Sequence, residues 1–116
     1  MSIFSKKSEE KCVGIFSIYD PAIPDCKFSP PFFSAADDLA KQAILETLRR
    51  KCKSFDALLK SEFLRMDLWH IGTMRLSDAK LLCLPKYRYK VCNVGELLRS
   101  PSISAYMKSV TYESEE

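Results

Sequence analysis

Glycine is scarce in this chain: Gly14, Gly72 and Gly95 are the only three in 116 residues. At that spacing no glycine-rich loop can cradle a phosphate. Histidine is scarcer still. His70 stands alone, with no H-x-x-H or H-E-x-x-H partner, which leaves it a structural or surface residue rather than a base or metal ligand. There is no G-x-S-x-G, and no serine, histidine and acid are suggestively arranged. The five cysteines, Cys12, Cys26, Cys52, Cys83 and Cys92, are odd in number and contain no C-x-x-C pair. That argues against a disulfide framework and a zinc knuckle, and they read as reduced, mostly buried thiols. No apolar run approaches the ~20 residues of a membrane span. Residues 1–11 are polar and mixed in charge, unlike a signal peptide. An enzyme is thus the weakest reading: no catalytic residue, metal site or cofactor is assigned.

What is present suits one folded domain. Apolar residues make up 47% and charged residues 28%, a globular balance. The net charge of +3 divides into +6 over residues 1–108 and −3 over the last eight. A basic body with an acidic end suits an anionic partner, nucleic acid included, although such an excess also serves solubility.

Residues 1–11 read as a flexible lead, 12–99 as the domain and 100–116 as a mobile, serine-rich acidic tail. Residues 12–19 are almost wholly apolar and β-rich, a central strand buried on both faces. A turn with Pro21 and Pro24 follows, then an extended segment that Pro30 and Pro31 confine to a sheet edge or a crossing. Ser34 caps a helix over 35–52, with Asp37 completing an S-x-x-D box. Leu39, Ala43, Ile44, Thr47 and Leu48 form its expected core stripe. A short helical turn over 54–62, a strand over 63–76 and a last strand over 81–93, interrupted at Pro85, come next. Residues 94–99 suit one more helical turn. The fold class is α+β: a small, mostly antiparallel sheet of three to four strands, covered on one face by one main helix.

Lys86-Tyr87-Arg88-Tyr89-Lys90 is the most suggestive motif. On a strand, Lys86, Arg88 and Lys90 share one face and Tyr87 and Tyr89 the other. Cations two residues apart follow a phosphate backbone, and exposed tyrosines stack on bases. The alternative is an edge whose cations resist aggregation while the tyrosines pack inward. Arg49, Arg50, Lys51 and Lys53, at the end of the helix, offer a second phosphate patch, though that placement also complements the helix dipole.

The order of the pieces resembles the small nonstructural protein of gokushovirus-type microviruses, single-stranded DNA bacteriophages. The likeness runs from about residue 13 to 72. It rests on Pro30-Pro31-Phe32 leading into Asp37-Asp38 and a helix with Ala43, and on Leu68-Trp69-His70-Ile71-Gly72, where the family often has arginine in place of His70. The resemblance implies a non-enzymatic, replication-associated protein of the host cytoplasm. Its expected partner is single-stranded DNA, with a phage or host replication protein as a further partner, no membrane, and a homodimer left open. The rival reading is a protein–protein adaptor using the apolar surface near Phe32 and Phe33.

Overall fold

The structure, a computed structural model, describes residues 11–25 and 27–113. The expected lead, apart from Lys11, the last three residues of the expected tail and Cys26 lie outside them.

β1 (Cys12–Tyr19) is the spine of the sheet. Its β-branched and aromatic residues fit a pleated, packed surface. Ile15, Phe16 and Ser17 are buried in succession, so both faces are covered, as expected of a central strand. β1 pairs antiparallel with β2 (Phe32–Ser34) on one side and with β3 (Asp67–Arg75) on the other. Along its far edge β3 holds two partners in turn: β5 (Tyr89–Asn93) against its first half and β4 (Leu81–Leu82) against its second. The protein is therefore α+β with an antiparallel sheet. The segment before β2 crosses beside β1, where Ser17 donates to the Ser29 carbonyl at 2.8 Å and Ser29 Oγ accepts from Ile18 N–H at 3.0 Å.

The main helix, α1 (Asp37–Lys51), buries Ala40, Ile44, Leu45 and Leu48. This face is turned from the expected stripe: Ile44 and Leu48 are core, but Leu39, Ala43 and Thr47 are exposed. The cause is a second helical layer. α3 (Val94–Arg99) and α4 (Pro101–Ser109) pack beside the sheet and give Leu45 apolar neighbours in Leu97 and Ile103. Ser34 is not the cap either. Ala36 holds that position without a side-chain bond, and Ser34 Oγ donates to the Ala36 carbonyl at 3.2 Å. The short helix α2 (Phe55–Leu59) starts at Ser54, whose oxygen accepts from Ala57 N–H at 3.0 Å. A 3-10 turn, Glu62–Arg65, occupies the start of what the sequence suggests as a strand.

The expectation of a mobile tail is overturned for residues 100–113. Pro101 opens α4, Met107 is fully buried, and Ile103, Val110 and Tyr112 pack on the core around it. Serines and terminal glutamates hid this apolar spacing. The thiols also differ from expectation. Cys52 is buried and Cys92 half-buried, but Cys12, at the start of β1, and Cys83, just past Leu82, are exposed; all four described cysteines are free.

Asp20, only 5% exposed, pins the turn after β1 to the 3-10 turn. Arg65 donates to both of its oxygens, at 2.9 and 3.1 Å, and Ala22 N–H donates at 3.0 Å. The Arg65 bonds, then the Ala22 bond, hold its carboxyl below the usual carboxylate range. Asp78, bonded by Arg75 and by Lys80 N–H, is lowered to about 2. A depressed carboxylate stabilises the fold above its unfolded pKa, and that stability fades as pH falls through the folded value. Urea midpoints should therefore hold steady above pH ~5 and fall from about 4 downward. Arg65→Gln should make this acid slope shallower. An identical slope in that variant would mean the Asp20 pair contributes nothing to it.

Candidate nucleic-acid interface

Every residue from 76 to 90 is exposed. This arm leaves the core at the end of β3 through a turn that Asp78 closes: Arg75 donates to it at 2.9 and 2.7 Å and Lys80 N–H at 3.1 Å. Ala79 takes the left-handed region at φ 61, unusual for a residue with a Cβ. β4 then lies back along β3, with Thr73 opposite Leu82 and Met74 opposite Leu81. Gly72 permits the approach, since a Cβ there would sit 2.5 Å from Cys83 Sγ and 2.8 Å from the Leu82 carbonyl oxygen.

The expected single strand over 81–93 is broken. Pro85–Tyr87 is a 3-10 turn with proline in its first position, so β5 begins only at Tyr89. Lys86, Arg88 and Lys90 therefore do not form one row on one strand face. They remain close in sequence, exposed, and without an ion-pair partner among the described residues. Tyr87 is 65% exposed, with Lys86 Nζ 5.2 Å from its ring centroid. Tyr89 differs. Its hydroxyl donates to the Asp37 carboxylate at 3.0 Å, and its ring stacks on His70 with centroids 4.7 Å apart. Burial first, then the Asp37 bond, raises its pKa. A ring fixed this way is a structural bracket between β5 and the start of α1.

The His70 ring is held between Tyr89 and the edge of Phe16. Trp69 lies on the other side of the strand with Tyr19 and Phe28. Among the described residues no cluster of histidine, cysteine, aspartate or glutamate suits a metal ion, and no helix is long and apolar enough to cross a membrane.

The second basic cluster divides. Arg49 donates to both Glu46 oxygens at 2.9 and 2.6 Å, to the Thr111 carbonyl at 3.0 Å and to Glu113 at 2.8 Å. Arg50 pairs with Glu46 at 3.0 Å. The Arg49 bonds, foremost, hold the Glu46 carboxyl below its usual range. These two arginines are neutralised within the fold, whereas Lys51 and Lys53 are exposed. The clusters also sit apart. Tyr89 ties the arm to Asp37 in the first turn of α1, and Arg49 is in its last, a rise of roughly 18 Å.

Sequence reasoning missed the arm's apolar side. Leu76, Leu81, Leu82 and Leu84 are each more than half exposed. In the sequence they fall within strand-like runs whose faces are not assigned there. Of the two phenylalanines expected at an apolar surface, Phe33 is 54% exposed and Phe32 is half-buried against Phe16. No protein-family model matches the chain, and comparison with curated proteins and with solved structures finds no match either.

Proposed function

We propose that this is a non-enzymatic protein that binds single-stranded DNA through the 76–90 arm, serving genome replication, or its switch to packaging, in a microvirus-type phage. The observation that carries the reading is the set of three exposed cations, Lys86, Arg88 and Lys90, without an ion-pair partner among the described residues and interleaved with the exposed ring of Tyr87. Cations of this kind neutralise phosphates, and an open ring accepts a base of any sequence. Arg49 and Arg50 leave the contact set because Glu46 and Glu113 already occupy them. The viral setting rests on the resemblance of the Pro30-Pro31-Phe32 and Leu68-Trp69-His70-Ile71-Gly72 segments.

The test is a fluorescence-anisotropy titration of a labelled single strand over a range of salt. Each neutralised phosphate contributes about −0.7 to the log–log salt slope. Lys86→Gln, Arg88→Gln and Lys90→Gln together should flatten the slope by roughly 2 units and weaken all sequences alike. Absence of salt-dependent binding at low ionic strength would sink the reading.

The exposed leucines favour a second reading, a protein–protein adaptor acting on a replication factor or in assembly, since contiguous apolar exposure marks interaction sites. That reading takes over if the titration shows no binding.

A further inference from the structure

A pocket of about 190 Å³ opens where the arm lies against β3, lined by His70, Gly72, Thr73, Leu82, Leu84 and Tyr87. We infer that it receives a single nucleobase of the bound strand. The inference rests on the single-strand reading above and gives that surface a site for one base beside its sites for phosphates.

Size is the first argument. Pockets for drug-sized ligands run to ~300–1,000 Å³, so this one admits a ring system and little more. Its chemistry is the second. Leu82 and Leu84 supply flat apolar contact, and Tyr87 supplies a π face. Lys86 covers one face of that ring, which leaves the other for a base. Polar capacity is the third. His70 Nδ1 is buried without a partner, and the Thr73 hydroxyl makes no hydrogen bond among the described residues. An aliphatic ligand would leave both unmatched, whereas a base edge carries donors and acceptors. Charge is the last. Lys86 and Arg88 flank Tyr87 in sequence, where the phosphates on either side of an inserted base would lie. Gly72 maintains the site, because a side chain there would push Cys83 and Leu82 away from β3.

The experiment compares two probes of equal length, an oligothymidylate and an abasic deoxyribose-phosphate strand, with wild type, Tyr87→Ala and Tyr87→Phe. Tyr87 is exposed, so neither substitution threatens the fold. Wild type should bind the oligothymidylate about tenfold more tightly than the abasic strand, at a similar salt slope. Tyr87→Ala should abolish that preference and leave abasic binding unchanged, while Tyr87→Phe should retain the preference. Equal affinity of wild type for the two probes, with the salt slope intact, overturns the base pocket together with stacking on Tyr87 and leaves the phosphate contacts of the single-strand reading standing. A Tyr87→Ala variant that weakens both probes equally overturns it too. Salt-dependent binding to neither probe defeats the underlying reading itself.

Discussion

Met107→Ala should destabilise the protein by about 2–5 kcal/mol, the range for truncating a long side chain in a packed interior. Met107 is fully buried, and Tyr112, partly buried, donates from its hydroxyl to the Met107 carbonyl at 2.8 Å. The side chain belongs to the same cluster as Leu45, Leu48 and Leu98, so its loss leaves a cavity shared by three helices. Truncation after Arg99 should be more severe. It removes Met107 together with Ile103, Val110 and Tyr112, and it uncovers the flank of α1. Urea denaturation followed by circular dichroism measures both. A Met107→Ala midpoint equal to wild type would mean α4 does not seal the core.

Phe16→Ala is the second large effect, about 3–5 kcal/mol. Phe16 is 1% exposed, on the central strand. Its ring stacks on Phe32 at 5.9 Å between centroids and meets the His70 ring edge-on at 5.1 Å. Gly14 makes room for it, since a Cβ there would come within 2.6 Å of Phe16 Cε1. The substitution therefore removes the joint between β1, β2 and β3, and a shift in urea midpoint at unchanged m-value is the expected signature. A loss below ~1 kcal/mol would show that the surrounding rings close over the gap.

The parts of the fold that were legible in sequence are those set by local pattern. The β-branched run of β1 and the acidic-first, basic-last order of α1 each carry their own explanation. What was hidden depended on partners distant in the chain. The face of α1 shifts because α3 and α4 lie beside it, and nothing within 35–52 reports that. The KYRYK motif showed its charges but not its geometry: Pro85 directs the backbone into a 3-10 turn, and Tyr89 is recruited by Asp37, 52 residues away. Arg49 looked available although Glu46 lies only three residues before it, and its second partner, Glu113, is 64 residues away. For Leu81 and Leu82 the sequence left the face open, because an apolar pair does not reveal whether anything covers it.

β4 is held to β3 by only two residue pairs, and nothing from 76 to 90 is buried. For an evolving lineage this separates two kinds of selection. Substitutions at Phe16, Leu68 or Met107 are screened by whether the chain folds at all. Exposed arm residues away from Gly72 and the Asp78 turn fall where surface changes usually stay within about 0.5 kcal/mol. The arm can therefore drift, exchanging cations, leucines or the Tyr87 ring, and adapt to a new ligand while the scaffold stays intact. Related chains should diverge fastest here and keep their apolar pattern in β1, β3 and α1.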